Sequence, residues 1–374
     1  MNLPSDLFEV STPALVLELS RLRANAAFMA ARAASLGVKL RPHMKTAKSA
    51  DVARLATEGF GGITVSTLAE ARYFLEHGFA DVTYAVGLAP CRIREARELV
   101  RAGCRLKVLI DSPEVARLIA DDDTPLDVLI EIDCGDARGG VTPDSPELLE
   151  VAKALQGKGA RLAGVLTHAG QSYACGSVEE IADVAEQEKA AAVHAAERLR
   201  TGGYPVDTVS VGSTPTATHA RDLTGVTEMR PGVYMFGDLD QLGLGSMPGE
   251  RIAVTVLASV IGVYPDRLIV DAGGLALSKD TSAQRHNPAA GYGLVQNIRG
   301  ETLPGASVVT ANQEHGIVKF ASPENLRGFR IGDRVRIVPN HICMTAAAHP
   351  GYHVVDGGVE VKARWGRIHG WEQW

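Results

Sequence analysis

The chain has 374 residues, of which 45% are hydrophobic and 22% are charged, and this composition is typical of a soluble globular protein of about two domains. The formal net charge of −6 argues against nucleic acid or an anionic membrane as the main partner. No apolar run reaches the roughly 20 residues that a membrane helix needs, so we expect no membrane span.

The cysteines and the first residues of the chain bear on its compartment. Cys91, Cys104, Cys134, Cys175 and Cys343 are scattered, odd in number and form no CxxC pair, so a disulfide framework is not expected. Residues 1–12 lack the basic and then apolar pattern of a signal peptide. We therefore predict a cytoplasmic protein.

Residues 12–243 are predicted to form an α/β domain in which strands and helices alternate. Short β-branched runs are followed by helical patterns rich in Ala, Glu and Arg. About eight such units in roughly 220 residues predict a closed (β/α)8 TIM barrel, with an open doubly wound sheet as the alternative. The predicted strands are 38–44, 62–66, 82–86, 106–110, 126–132, 163–168, 208–212 and 229–236.

Residues 244–374, together with residues 1–11, are predicted to form a second, mostly antiparallel β domain. Short alternating runs, separated by Gly and Pro, are typical of hairpin-connected strands. These runs are 252–260, 268–271, 307–310, 316–320, 334–339 and 352–355. Residues 12–19 are a candidate for a further strand of this domain.

The loop after the first predicted strand contains two lysines, Lys45 and Lys48, with His43 and Thr46 close by. Parallel α/β folds carry their chemistry at the C-terminal ends of their strands. A lysine held among cationic or apolar neighbours loses proton affinity and can become a nucleophile or a Schiff-base former. The alternative interpretation is two solvated lysines on a surface loop.

Later strand ends carry further polar groups. Glycines around Arg138 would let the backbone approach a ligand while the guanidinium points at it. Ser213 and Thr214 follow the seventh strand and the eighth strand supplies Arg230, an order that suits a phosphate held by backbone N–H groups. His168 ends the sixth strand. Ordinary turns and a buried core histidine are the structural alternatives.

His341 and Cys343 form the sharpest motif of the second domain. On a predicted extended segment, residues two apart project to the same side. Imidazole plus thiolate suits Zn²⁺, and two protein ligands leave positions for water or substrate. The alternative is a strand cysteine beside a surface histidine. Further candidate ligands or acid–base groups are His315, His349 and His353.

Taken together, these motifs resemble the fold-type III pyridoxal-phosphate (PLP) enzymes, in which an alanine-racemase-like barrel is joined to a β domain. One branch is especially similar, that of the metal-dependent D-serine dehydratases, D-threo-3-hydroxyaspartate dehydratases and D-threonine aldolases. The residues that carry the resemblance are Pro42-His43-x-Lys45-Thr46-x-Lys48, Gly212-Ser213-Thr214 and His341-x-Cys343. It extends nearly end to end, from Thr12-Pro13-Ala14 to Gly370-Trp371.

The resemblance implies a role for each motif. Lys45 would form a Schiff base with PLP, and His341 and Cys343 would bind a divalent metal, Zn²⁺ or alternatively Mn²⁺ or Mg²⁺. Arg138 would face the phenolate side of the cofactor, His168 and Tyr173 would lie by its ring, and Arg230 would approach the ring nitrogen. The implied phosphate contacts are Ser213, Thr214, Gly232, Val233 and Tyr234.

The implied activity is that of a PLP- and metal-dependent lyase acting on D-3-hydroxy amino acids. We expect a dehydratase that converts D-threo-3-hydroxyaspartate or D-serine to a 2-oxo acid and ammonia. The alternatives are a D-threonine aldolase, an amino-acid racemase and a non-catalytic PLP carrier. Residues 272–276 contain no counterpart of the racemase tyrosine, and Ala47 replaces a histidine that is frequent in the branch. A homodimer, and one pocket shared by Lys45, His341 and Cys343, are further expectations.

Overall fold

The structure, a computed structural model, describes residues 3–58 and 61–371. The chain divides into two compact units. The barrel unit is Phe28–Gly232 with Gly370 and Trp371, and the β unit is the segment up to Ala27 with Val233–His369. The predicted boundary at residues 243 and 244 lies near one of these divisions and stays a prediction. Within the described residues, no helix is long and apolar enough to cross a membrane.

The first elements along the chain are strand β1, Ala14–Glu18, and helix α1, Leu19–Ser35. Every residue of β1 is buried, although its last residue is a glutamate. An almost wholly apolar strand of this kind is typical of one that is covered on both faces. The pairing partners of β1 come from the distant end of the chain and are described below.

The barrel unit is built on eight parallel strands that close into a ring. The strand order is β2-β9-β8-β7-β6-β5-β4-β3, and a parallel bridge between His43 and Thr64 joins the two ends. The N–H of Thr64 donates to Pro42 at 2.9 Å and the N–H of Met44 donates to Thr64 at 2.8 Å. The predicted (β/α)8 barrel is therefore confirmed. Its strands are β2 Lys39–Leu40, β3 Gly62–Val65, β4 Asp81–Gly87, β5 Arg105–Ile110, β6 Leu126–Ile132, β7 Ala160–Thr167, β8 Thr208–Val211 and β9 Glu228–Met229.

Helices follow the barrel strands, and polar side chains cap several of them. Thr67, Ser112 and Ser177 each accept a hydrogen bond from a backbone N–H in the first turn of the helix that follows, as the best N-cap residues do. The helices are α2 Ala50–Ala56, α3 Leu68–Glu76, α4 Ile93–Arg101, α5 Pro113–Ala120, α6 Glu147–Ala154, α7 Val178–Thr201 and α8 Thr214–His219, with 3₁₀ turns at Pro90–Arg92 and Gly170–Ala174.

Two barrel strands are shorter than their sequences predict. The run 38–44 forms a strand only over Lys39–Leu40, and the run 229–236 only over Glu228–Met229. Pro42 and Pro231 follow these strands closely, and proline has no N–H to give to a ladder. Val233–Met235 is a 3₁₀ turn and not strand, so that part of the prediction was wrong.

The β unit contains a nine-stranded sheet, part of which closes on itself. Six strands follow one another as β11-β14-β13-β12-β15-β10, and β10 pairs again with β11. The mostly antiparallel β domain is thus confirmed; 294–297 and 363–366 are strands that the sequence analysis missed. The strands are β10 Val254–Tyr264, β11 Arg267–Val270, β12 Leu294–Asn297, β13 Thr302–Ala311, β14 Gly316–Lys319, β15 Arg334–Val338, β16 Gly351–Val355 and β17 Ala363–Gly366.

Strand β1 belongs to this second sheet, as the pattern at 12–19 predicted. It pairs antiparallel with β10 and parallel with β16. Glu18 and Arg336 form a buried ion pair of 2.6 Å between β1 and β15. The core against β1 is formed by Leu7, Val10, Ala14, Val16, Leu257, Val355 and Val361. Short helices complete the unit: α9 Leu239–Gly243, α10 Gly274–Leu277 and α11 Ile342–Ala347, with 3₁₀ turns at Gly249–Arg251, Ser282–Arg285, Pro288–Ala290 and Pro323–Leu326.

Candidate active site

Lys45 lies in the loop that follows the first barrel strand. Its side chain is exposed, whereas its neighbours Met44 and Thr46 are fully buried and fix the loop. The N–H of Lys45 donates to Nδ1 of His43 at 3.3 Å. Burial lowers the pKa of His43 well below its ordinary value, and the charges of Lys45 and Arg230 lower it further. His43 is therefore a neutral imidazole whose Nδ1 acts as an acceptor beside the Lys45 backbone.

His168 follows β7 and is the second neutral histidine of this cluster. Its pKa is lowered to about 3 by burial and then by the charges of Lys45, Arg138 and Arg230. Its Nδ1 lies 3.4 Å from the carbonyl oxygen of Gly212, and Tyr173 lies beside it with ring centroids 6.3 Å apart. The barrel thus brings together an amine and two guanidinium groups, as the positions after the strands predicted.

Arg230 is buried and its guanidinium is held by groups at the ends of neighbouring strands. Nη1 donates to Ser210 Oγ at 2.7 Å, and Nη2 donates to the carbonyl of Thr167. Burial lowers the pKa of Arg230 to about 10, and the charge of Glu228 opposes that shift. Arg138, by contrast, is exposed and lies 3.8 Å from Glu131.

Ser213 and Thr214 begin helix α8, directly after β8. Ser213 Oγ accepts the N–H of Thr216 at 3.2 Å, and the N–H of Ser213 donates to Thr216 Oγ1 at 2.9 Å. This capping box fixes the first turn of the helix. The oxygen Oγ of Ser172 lies 3.0 Å from that of Ser213 and links the preceding loop to it.

Gly232 allows two loops of the barrel unit to touch. A Cβ at this position would lie 2.7 Å from the carbonyl oxygen of His43 and 3.1 Å from its Cβ. The loops after the first and eighth barrel strands can therefore approach each other only without a side chain there. Val233 and Tyr234, also predicted as phosphate contacts, are buried in the β unit, and burial raises the pKa of Tyr234.

Glu188 is a buried residue of this region that the sequence analysis missed. Its Oε1 accepts the N–H of Ala169 at 3.0 Å and the N–H of Gly212 at 2.9 Å, so helix α7 ties the ends of β7 and β8 together. One sequence signal could have found it. Glu188 lies on the same buried, otherwise alanine-rich face of α7 as Ala185 and Ala192, where an acid is out of place.

His341 and Cys343 are brought together in the β unit, but not on an extended segment. His341 is the N-cap of α11 and Cys343 lies in its first turn, so the prediction of strand-like alternation was wrong. Strand β15 ends before Pro339, and Asp238 Oδ2 accepts the N–H of Ile342 at 3.0 Å, which stabilises the new helix start. The side chains of His341 and Cys343 are hydrogen-bonded to each other.

The surroundings of His341 are acidic. Its Nδ1 lies 2.7 Å from Asp280 Oδ2. Burial lowers the pKa of His341, but hydrogen bonds to Asp280 and Cys343 outweigh it and raise that pKa to about 11. Burial lowers the pKa values of His349 and His353. Across the part of the chain that the structure describes, no group of three or more His, Cys, Asp or Glu side chains is arranged to hold a metal ion.

The residues present fit the cofactors that the sequence motifs imply. An exposed amine, two guanidinium groups and a close approach of backbone at Gly232 suit an anionic aldehyde such as PLP. An imidazole and a thiol in contact suit Zn²⁺, which prefers nitrogen and sulfur ligands. The Nδ1 bond to Asp280 leaves Nε2 of His341 as the ligand atom.

Family models and known proteins match this chain over nearly its whole length. The alanine racemase N-terminal domain matches residues 17–240, and the serine dehydratase domain matches residues 253–355. D-threo-3-hydroxyaspartate dehydratase of Delftia sp. strain HT23 is 45% identical over 98% of this chain and 99% of that protein. D-serine dehydratase of Dictyostelium discoideum is 34% identical over 95% of this chain and 96% of that protein. D-threonine aldolase of an Arthrobacter species is 32% identical over 96% of this chain and 95% of that protein.

Solved structures agree with these relatives. The Delftia dehydratase superposes with a TM-score of 0.93 at 43% identity, covering 98% of this chain and 100% of that one. D-threo-3-hydroxyaspartate dehydratase has also been solved as a histidine-to-alanine mutant and as a cysteine-to-alanine mutant in the metal-free form, each with a TM-score of 0.93 to this chain. The chain described here therefore belongs to the fold-type III family of PLP-dependent lyases that comprises the D-threo-3-hydroxyaspartate dehydratases, D-serine dehydratases and D-threonine aldolases.

Proposed function

We propose that this protein is a PLP- and divalent-metal-dependent dehydratase of D-3-hydroxy amino acids, with D-threo-3-hydroxyaspartate or D-serine as substrate. The observation that carries the proposal is the identity of 45% with D-threo-3-hydroxyaspartate dehydratase over 98% of the chain. The products would be a 2-oxo acid and ammonia.

Residues of the barrel unit, together with Val233 and Tyr234 of the β unit, would hold PLP. Lys45 would bind it covalently, and Arg138, His168, Tyr173 and Arg230 would surround its ring. Phosphate binding is assigned to Ser213, Thr214, Gly232, Val233 and Tyr234. Two cations and two neutral histidines around Lys45 support this assignment, because an anionic group placed there meets positive charge and no competing imidazolium.

His341 and Cys343 would hold the divalent metal, with Zn²⁺ favoured by the nitrogen and sulfur donors. The two substituted positions in the solved mutants of D-threo-3-hydroxyaspartate dehydratase are a histidine and a cysteine two residues apart, as His341 and Cys343 are. The cysteine mutant was solved metal-free, which supports the assignment.

The chemistry divides between these groups. PLP, when bound, supplies an electron sink for negative charge at the substrate Cα, and the metal supplies Lewis acidity at the β-hydroxyl. Lys45 would be the base for the Cα proton. His341 and Cys343 would hold the metal that supplies Lewis acidity at the β-hydroxyl.

The second candidate is a D-threonine aldolase, favoured by the identity of 32% with the Arthrobacter enzyme. The same groups would serve it, with proton removal from the β-hydroxyl and cleavage of the Cα–Cβ bond to give glycine and an aldehyde. The relatives include both dehydratases and aldolases, so the same set of residues is compatible with either reaction.

A substrate panel tests the proposal. The purified protein with PLP is incubated with D-serine, D-threo-3-hydroxyaspartate and D-threonine, with and without Zn²⁺ or Mn²⁺, and the L-enantiomers serve as controls. We expect ammonia and a 2-oxo acid from a D-substrate. Glycine and an aldehyde in place of ammonia would establish the aldolase, and no turnover of any substrate would refute the lyase assignment.

Metal removal tests the role of the pair separately. Dialysis against a chelator is expected to abolish turnover while the visible absorbance of bound PLP remains, and added metal is expected to restore turnover. Full activity without metal would refute the role of His341 and Cys343. The homodimer, the cytoplasmic location and the metal used in the cell stay predictions.

A further inference from the structure

The ring of His341 is oriented by a carboxylate from another part of the β unit. Asp280, in the loop after α10, accepts a hydrogen bond from Nδ1 of His341 over 2.7 Å. Both side chains are partly exposed, at 35% for His341 and 25% for Asp280, so solvent or a ligand can reach the pair. A carboxylate acceptor at this distance holds the proton on Nδ1, so Nε2 is the ring nitrogen that can lose its proton and bind a metal ion.

Asp280 is itself held in place from several sides. Its Oδ1 accepts the N–H of Ser282 at 2.8 Å, and its own N–H donates to Ser278 Oγ at 3.1 Å. Its carbonyl oxygen accepts Nδ2 of Asn340 at 3.0 Å. A carboxylate with so many fixed neighbours keeps one orientation, so its position against His341 is built in before any ligand binds.

The whole segment 276–280 is fastened to the segment 340–349 that contains the metal pair. Thr345 Oγ1 donates to the carbonyl of Leu277 at 2.7 Å, and Nε2 of His349 lies 2.9 Å from the carbonyl of Ala276. With the bonds from Asn340 and His341 to Asp280, two contacts lie at the start of α11, one within it and one just beyond its end. Residues 272–276, which lack the racemase tyrosine, thus lead into the segment 276–280 that holds α11 in place.

We propose that Asp280 is a positioning residue of the metal site, and this rests on the metal pair of the proposed function. By accepting a hydrogen bond from the Nδ1–H group, Asp280 leaves Nε2 of His341 to bind the metal and fixes the plane of the ring. A metal-bound imidazole almost always donates its other N–H in this way, and the donor bond raises its strength as a ligand. Asp280 acts through His341 and does not itself bind the ion.

The test measures Zn²⁺ affinity with a competing chromogenic chelator on the PLP-loaded protein, without substrate. Asp280→Asn keeps the shape of the side chain but removes the charged acceptor, and we expect Zn²⁺ to bind about 10–100-fold more weakly. Asp280→Glu keeps a carboxylate and is expected to retain more affinity than Asp280→Asn. Asp271→Asn is the matched control, because that carboxylate also bonds a hydroxyl and a backbone N–H, those of Thr12 and Ser259, but not His341.

A double-mutant cycle separates positioning from a general effect of charge. In a His341→Ala background, Asp280→Asn is expected to cause no further loss of Zn²⁺ affinity, since its effect passes through the ring. Equal losses with and without His341, or no loss in the single variant, would overturn the inference. Wild-type protein that binds Zn²⁺ but turns over no D-3-hydroxy amino acid would refute the proposed function and leave the role of Asp280 standing.

Discussion

Arg41 shows how single residues below the candidate site hold the barrel together. Its guanidinium lies 2.8 Å from Glu228 in β9 and 2.7 Å from Asp81 in β4, so it links these strands across the two strands, β2 and β3, that lie between them in the ring. Neither Arg41 nor Glu228 has more than 10% of its side chain exposed. Breaking a buried pair by removing one partner typically costs about 3–5 kcal/mol, because a buried charge is left behind.

Glu228→Gln is expected to destabilise the protein by about 3 kcal/mol at neutral pH and to change its response to acid. Burial raises the pKa of Glu228, but the charge of Arg41 outweighs this and holds that pKa below its ordinary value. A carboxyl with a lowered folded pKa contributes stability above its unfolded pKa of about 4.3, and this is lost as the pH falls. The free energy of unfolding should therefore fall less steeply below about pH 5 in the variant. Urea unfolding across pH measures this, and parallel curves would contradict it.

Lys45→Ala is expected to abolish the visible absorbance of lysine-bound PLP, because the amine that we propose attaches the cofactor is gone. Lys48→Arg is the control. Lys48 forms an ion pair of 3.0 Å with the buried Glu70, and arginine keeps that charge but cannot attach PLP. Absorbance that persists in Lys45→Ala and disappears in Lys48→Arg would show that PLP is attached to Lys48 and not to Lys45.

The residues with distinctive chemistry were predictable, and their supports were not. Lys45, His341 and Cys343 stand out by residue type and spacing in the sequence alone. Asp280 sits in an ordinary loop about sixty residues from His341, and only the folded sheet brings the two within 2.7 Å. Because such contacts are between distant parts of the chain, no local pattern reports them.

At the scale of elements, glycine decides how strand β7 fits between its neighbours. The pairing of β6 with β7 shifts register next to Gly164, whose φ of +153° is rare for other residues. A Cβ at Gly164 would collide with the carbonyl of Thr208 in β8. The irregularity lets β7 pair with both of its neighbours, β6 and β8, while its apolar residues stay buried.

Gly164→Ala is expected to destabilise the barrel by about 1–3 kcal/mol or more, through overpacking and a disfavoured backbone conformation. Gly87→Ala in β4 is the matched control, since no atom lies within 4 Å of its added Cβ, and it should change stability by less than about 0.5 kcal/mol. Chemical denaturation compares the two variants. Equal stability of both would mean that the register shift carries no steric constraint.

Strands with a continuous buried run were predicted well, and two short strands of mixed exposure were missed. Strand β6, with seven residues and little exposure, was found with its bounds intact. Strands β12 and β17 have four residues each and mixed exposure, so their sequences carry too little alternation to be seen. The helix start at Ile342 depends on Asp238, more than a hundred residues earlier, and is therefore invisible locally.

At the scale of the whole chain, the first strand is an internal member of the second sheet. Leu15 of β1 is fully buried and lies opposite Val256 on one side and Tyr352 on the other. Replacing it by alanine is expected to cost about 2–5 kcal/mol, the range for buried leucines. Leu3→Ala is the control, because Leu3 is 49% exposed. Thermal denaturation should show a lower midpoint for Leu15→Ala alone, and equal midpoints would contradict the assignment.

The place of β1 also bears on how the polypeptide matures during translation. More than two hundred residues separate β1 from its partner β10, and β16 emerges later still. At about 5–20 residues per second, the apolar strand β1 stays unpaired for roughly 10–50 s until β10 has been synthesised. During this interval the nascent chain is exposed to aggregation through β1. A chaperone that binds β1 would therefore raise the yield of folded protein.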